Sequence, residues 1–312
     1  MQLRPGLRPH HDHDHDHDHA PDGGLALDLA TMANRGFDRR RLLGWLGAAA
    51  LAGCGGGGDE GTVATASSGS TGTGTTTGTG TTTGTGTTTG TGTAASSCSV
   101  IPPETEGPYP ADGSNSASGS LVNVLSLSGV VRRDIRSSFA GATGTAEGVP
   151  LTVQLRLVDT NAACADLSGW AVYLWHCDRE GRYSLYSSGV TNQNYLRGVQ
   201  ATDTGGNVSF ATVFPACYSG RMPHLHFEVF RSTNSATAWT NKLRTSQIAL
   251  PTDVCQTVYT TASGYSASVA NLARISFATD NVFSDGYATE LATVTGSVAA
   301  GYTASLVVGV PG

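Results

Sequence analysis

Tyr218 stands six residues ahead of His224, and His226 follows two residues later, within the string FPACYSGRMPHLHFEVF of residues 214–230. In a β-strand alternate side chains share a face, so His224 and His226 point one way while Leu225, Phe227 and Val229 point the other. That is how a strand offers two imidazoles to one metal ion. The chain has nine histidines, but six lie in residues 10–19, and only His176, His224 and His226 fall where folding is expected. The pair is therefore not a by-product of histidine abundance. An isolated His-x-His is more often structural than metal-binding, so further donors are needed at the same point. Tyr183 follows an Asp/Gly turn in residues 175–187 (WHCDREGRYSLYS), and Tyr218 lies in another turn, PACYSG at 215–220. Loops beside strands are where functional residues collect. Two phenolates with two imidazoles make a hard, anionic donor set that favours Fe(III) over Zn(II) or Cu(I). Taken singly, each tyrosine reads as a turn residue with its hydroxyl in water. His176 reads as a core residue satisfying a hydrogen bond, and Glu228 as either a partner for an imidazole or an exposed strand residue.

These side chains need a rigid frame. LTVQLRLV at 151–158 alternates apolar and polar residues as a half-buried strand should, and similar runs occur at 121–131, 170–175, 208–214, 225–230 and 246–250. Clusters of Gly, Asn, Asp and Ser separate them, as at 203–207 and 232–235. Short strands with turn punctuation predict an all-β fold, an antiparallel β-sandwich, over residues 98–312. One short helix is expected near 267–273.

The first third of the chain has a different character. DRRR at 38–41 precedes an apolar run, 42–52, too short to span a bilayer, and the run ends in LAGC with Cys54. This resembles a twin-arginine export signal fused to a bacterial lipobox, which predicts acylation of Cys54 and a periplasmic or cell-surface lipoprotein. Met32 would start a signal of ordinary length, and the HHDHDHDHDH tract at 10–19 reads as low complexity. Residues 54–97, mostly Thr, Gly and Ser, predict a flexible tether of about 35–40 Å span. Beyond Cys54, the cysteines are Cys98, Cys164, Cys177, Cys217 and Cys255, so at least one thiol stays unpaired, and spacing does not fix the pairing. The net charge of −6, with scattered Lys and Arg, gives no electrostatic footprint for nucleic acid.

Five strings then make a resemblance specific: ETEGPY (104–109), WHCDREGRYS (175–184), LRGVQATD (196–203), PACYSGR (215–221) and HLH (224–226). In this order they resemble the intradiol ring-cleavage dioxygenases, the family of catechol 1,2- and protocatechuate 3,4-dioxygenases, over essentially residues 98–312. The resemblance implies that Tyr183, Tyr218, His224 and His226 bind a non-haem Fe(III). Tyr218 matches the tyrosinate that leaves the metal when substrate arrives, and Tyr183 the one that stays. Arg221 and Gln247 match catalytic residues, and Tyr109 a residue lining the substrate pocket. The implied reaction inserts both atoms of O2 into a catecholic ring and opens it between the hydroxyl-bearing carbons to a muconate-type dicarboxylate. Cys217 and Pro110 depart from the family pattern at the pocket wall. No helical N-terminal segment of the kind catechol 1,2-dioxygenases use to dimerise is visible. Two other readings are a non-catalytic sandwich stapled by metal, and a cupin, in which a Glu falls farther past the second His than Glu228 does.

Overall fold

The alternation in PLTVQLRLVD becomes strand β3 (Pro150–Asp159), with Leu151, Val153, Leu155 and Leu157 turned inward and Gln154 and Arg156 outward. The computed structural model describes residues 98–312; Cys54, the predicted signal, the 54–97 tether and the His/Asp tract lie outside the described residues. The strands before and after β3 are β1 (Asp112–Ala117), β2 (Ser120–Asn123), β4 (Ala165–Asp166), β5 (Ala171–Trp175), β6 (Arg197–Ala201), β7 (Asn207–Val213), β8 (His224–Phe230) and β9 (Arg244–Ala249). Helices α1 (Thr252–Thr261) and α2 (Ser266–Leu272) follow, then β10 (Thr293–Ser297) and β11 (Gly301–Val310).

One sheet has the order β10-β11-β3-β4, with β7 also paired to β3; the other is β6-β5-β8-β9. Val153 and Phe210 from the first meet Val172, Leu174, Leu225, Phe227, Val229 and Ile248 from the second in one apolar core. Each such side chain contributes about 1.5–3 kcal/mol by leaving water. The expected β-sandwich is therefore present, and all pairings within the second sheet are antiparallel. In the first, β11 lies parallel to β3, Tyr302 meeting Leu151 and Val310 meeting Asp159.

The element reading needs three corrections. Residues 121–131 are not one strand: β2 ends at Asn123, and turns follow up to a lone bridge between Val131 and Val199. The apolar run reflects Val124 and Leu125 buried from a turn rather than from a ladder. Helix α1 was not expected, because its threonines, Val and Cys are weak helix formers; burial of Cys255, Val258 and Tyr259 on one face decides it. Strands β1, β4, β6, β10 and β11 also escaped notice. Helix α2 lies where a helix was expected.

The chain from Cys98 to Pro110 runs without regular secondary structure from the first sheet to the second. A Cys98–Cys164 disulfide fixes its start, and the remaining described cysteines, Cys177, Cys217 and Cys255, are free and buried. Ile101 donates to the Gly309 carbonyl at 2.8 Å, and Glu104 to the Thr245 carbonyl at 2.9 Å.

Glu290 is fully buried, its Oε1 accepting from the Ser246 hydroxyl at 3.3 Å while Oε2 has no hydrogen-bond partner. Burial, with Glu104 nearby, pushes its carboxyl up to about 8. The folded state then holds a proton that the unfolded chain has released, so this group's contribution is present below about pH 4.5 and is lost as pH rises through about 8. Tm is expected to decline across that window. Glu290→Gln, which keeps the hydrogen-bonding shape without the titration, should flatten the decline by a few degrees in thermal melts taken from pH 5 to 8.

Candidate metal centre

Strand β8 is buried along its whole length, and its alternation sorts the side chains as expected. Leu225, Phe227 and Val229 enter the sandwich core, whereas His224 and His226 face the other side of the sheet. That side is closed by a second apolar cluster of Tyr173, Trp175, Tyr183, Ala216 and Phe230, with Tyr109, Tyr186 and Tyr218 against it. Register places Trp175 of β5 and Gln247 of β9 on either side of His226. The Trp175 indole lies flat on the His226 ring, centroids 5.0 Å apart and planes 7° apart.

Both tyrosines arrive from turns. After β5, Asp178 Oδ1 accepts from the backbone N–H groups of Glu180 and Arg182, and its Oδ2 from Arg182 Nε and the Tyr195 hydroxyl. This turn delivers Tyr183, whose N–H donates to the Ser187 hydroxyl at 2.9 Å. After β7, helix α2 holds the second turn: Cys217 N–H donates to the Ser268 hydroxyl, and Asn271 Nδ2 to the Cys217 carbonyl. Gly181 has φ +88°, and a Cβ on it would stand 3.2 Å from that of Tyr218, so glycine lets the two turns touch.

The result is a convergence of four atoms. Tyr218 Oη lies 3.2 Å from His224 Nε2, His224 Nε2 lies 3.0 Å from His226 Nε2, and His226 Nε2 lies 3.1 Å from Tyr183 Oη. His224 Nδ1 is 2.6 Å from the Met222 carbonyl. A carbonyl only accepts, so Nδ1 carries the proton and Nε2 presents its lone pair to the cluster. Burial, reinforced for His224 by the Arg221 charge and for His226 by His224 and Arg221, holds both imidazoles well below their ordinary range and therefore neutral. Donor atoms about 2.1 Å from a common ion and at right angles are about 3.0 Å apart, so these separations fit a single metal ion. Among the described residues no group of three or more His, Cys, Asp or Glu could hold a metal, and here the two imidazoles are completed by phenols.

Arg221 and Gln247 adjoin the cluster, both fully buried. Arg221 Nη2 donates to Gln247 Oε1 at 2.7 Å, and Gln247 Nε2 donates to the Thr105 carbonyl at 3.0 Å. Tyr109 stacks on Tyr183 with centroids 4.7 Å apart. The four residues that the resemblance implied as ligands and the two others it implied as catalytic thus meet in one place, with Tyr109 at its edge. His176 stays outside: buried, held by the Cys177 carbonyl and the Thr212 hydroxyl, its imidazole is pushed down to about 4 by burial. Glu228 is neither exposed nor bonded to an imidazole. Its Oε1 accepts from Lys242 Nζ at 2.8 Å, and Lys242 also lies 3.5 Å from Glu106 and 3.6 Å from Asp112.

Sequence reasoning missed Trp175, Arg197 and Asp280. Trp175 was findable, since alternation on β5 puts it on the histidines' side; Asp280 and Arg197 meet their partners only through the fold.

A dioxygenase family model matches residues 134–224, a segment that contains Tyr183, Tyr218, Arg221 and His224 and stops short of His226 and Gln247. Among solved structures, a dioxygenase that is 25% identical covers 69% of this chain and 95% of its own, with a TM-score of 0.51. The chain is thus similar to the dioxygenases over residues 134–224 and shares the fold of the intradiol ring-cleavage dioxygenases. The intradiol dioxygenase fold is likewise that of an intradiol ring-cleavage dioxygenase from Tetranychus urticae: 24% identity, 69% of this chain, 96% of that one and a TM-score of 0.52. Catechol 1,2-dioxygenase from Pseudomonas arvilla C-1 is also similar, at 19% identity, 67% and 61% coverage and a TM-score of 0.39. No curated protein matches the chain.

Proposed function

We propose that this intradiol-type dioxygenase binds a non-haem Fe(III) through Tyr183, Tyr218, His224 and His226 and cleaves a catecholic ring between its two hydroxyl-bearing carbons, inserting both atoms of O2. The observation that carries the reading is the meeting of two phenol oxygens and two neutral imidazole nitrogens at 3.0–3.2 Å separations. Bound there, Fe(III) would supply Lewis acidity that activates a catecholate toward O2. Tyr183 is 1% exposed, whereas Tyr218 is only partly buried. Tyr218 is thus the phenol that substrate reaches, and it takes up a proton from a catechol hydroxyl. Arg221, held rigid by its partners, directs positive charge toward the ring as negative charge develops on it, and Gln247 keeps the guanidinium in that orientation. Tyr109 supplies an aromatic wall and keeps water from the Tyr183 side. The product class is a muconate-type dicarboxylate.

Export as a lipoprotein, with the twin-arginine route carrying an already folded domain to a membrane anchor at Cys54, belongs to the same proposal. The Cys98–Cys164 disulfide supports it, because such bonds persist in oxidising compartments.

The test is oxygen uptake by iron-loaded protein against catechol, protocatechuate, hydroxyquinol and larger catechols, with visible absorption recorded alongside. Uptake together with a tyrosinate-to-iron band that weakens in Tyr218→Phe is the expected result. Iron-loaded protein that is colourless and consumes no oxygen would refute it.

A further inference from the structure

Asp280 belongs to no motif and lies 59 residues beyond Arg221, yet it is the most heavily used carboxylate next to the site. It is fully buried. Its Oδ2 accepts from Arg221 Nε at 3.1 Å and from Met222 N–H at 2.6 Å; its Oδ1 accepts from the N–H groups of Val282 at 2.8 Å and Phe283 at 3.1 Å, and lies 3.3 Å from Arg221 Nε. Two of these contacts lead into the cluster by separate routes. The Arg221 contact fixes the guanidinium so that Nη2 meets Gln247. The Met222 contact pins the residue whose carbonyl receives His224 Nδ1–H, which turns the Nε2 lone pair to the cluster. The two N–H groups at 282 and 283 anchor the carboxylate to its own loop, where a 3₁₀ turn begins at Phe283, so the aspartate cannot swing toward the arginine alone.

We infer that Asp280 is a dual positioning residue, setting the direction of the Arg221 side chain and, through Met222, the tautomer and orientation of His224. The inference rests on the ferric reading above. It predicts that one substitution harms two separable properties: metal affinity through His224, and turnover through Arg221.

Asp280→Asn is the variant to make, because its amide puts an N–H2 group where one carboxylate oxygen now faces backbone N–H donors. The wild type is first loaded with Fe(III) and shown to be coloured and active. Loss of about 10–100-fold in Fe(III) affinity by chelator competition, a shifted visible band and a fall of similar size in kcat with little change in KM are expected for the variant. The same substitution in an Arg221→Ala background separates the routes: the affinity loss should persist there, and the further fall in kcat should vanish. Asp280→Glu, which keeps the charge but displaces it by one methylene, should recover part of the affinity; if Asp280→Asn does not fold, Asp280→Glu is compared with wild type by the same measures. A folded variant with wild-type affinity, band and kcat overturns the inference, as does an affinity loss that disappears with Arg221→Ala. Wild-type protein that binds no Fe(III) and consumes no oxygen instead refutes the ferric reading itself.

Discussion

His226→Ala is expected to abolish both the visible band and oxygen uptake while leaving the sandwich folded. His226 Nε2 is one of the two inner atoms of the cluster, 3.0 Å from His224 Nε2 and 3.1 Å from Tyr183 Oη, so its loss opens the set of donors in the middle. The ring also serves as the plate on which Trp175 lies, and truncation leaves a hole beside that indole. The apolar side of β8 is untouched, since Leu225, Phe227 and Val229 face the opposite way. The expected loss in iron affinity exceeds the about 10–100-fold that supporting partners contribute, because a donor itself is gone. Iron content after gel filtration and the far-ultraviolet dichroism of the same sample decide it: full iron retention refutes the ligand role, and a collapsed spectrum refutes the expectation that the fold survives.

Arg197→Met carries the largest expected cost to stability. Arg197 is 1% exposed, and its guanidinium donates to the Ser184 hydroxyl and carbonyl at 3.0 Å each, the Pro110 carbonyl at 3.1 Å and the Tyr173 hydroxyl at 3.2 Å. Methionine fills much of the space but removes the donor from the Ser184 hydroxyl and carbonyl and from the Tyr173 hydroxyl, the Pro110 carbonyl alone keeping a second donor in Tyr173, at about 3–5 kcal/mol. For a domain of this size that is a fall in Tm of about 6–20 °C. Ser184 follows Tyr183 and Pro110 follows Tyr109, so the same side chain ties together the two loops whose tyrosines stack. A variant melting within 2 °C of wild type, roughly the shift from 1 kcal/mol or less, would show that these bonds contribute little.

The site was legible where spacing and alternation determine it. The facing of His224 and His226 follows from strand period alone, and Tyr183 and Tyr218 were marked by turn residues beside strands. Their convergence from loops on β5 and β7 was not readable from spacing; the resemblance implied it. Asp280 and Arg197 were invisible for a physical reason: a charged residue in a loop reads as solvated until its donors or acceptors arrive from distant parts of the chain. The same holds for Lys242 and Glu228, which form an interior ion pair from residues of ordinary surface type. Helix α1 shows the converse, since its propensity pointed away from helix and packing overrode it.

The parallel pairing of β11 with β3 dictates an order of events. β11 is the last strand of the described chain, yet it sits between β10 and β3, so Leu151 finds its neighbour Tyr302 only after everything between them exists. A nascent chain emerging residue by residue therefore carries β3 with one edge bare through most of its synthesis, and closing so long a loop is a slow step. The metal-facing sheet, whose strands β5, β6, β8 and β9 are complete by Ala249, can assemble first. Maturation then ends on the sheet whose strands carry none of the four donors, making the sealing of the sandwich the point at which the protein becomes safe from edge-to-edge aggregation.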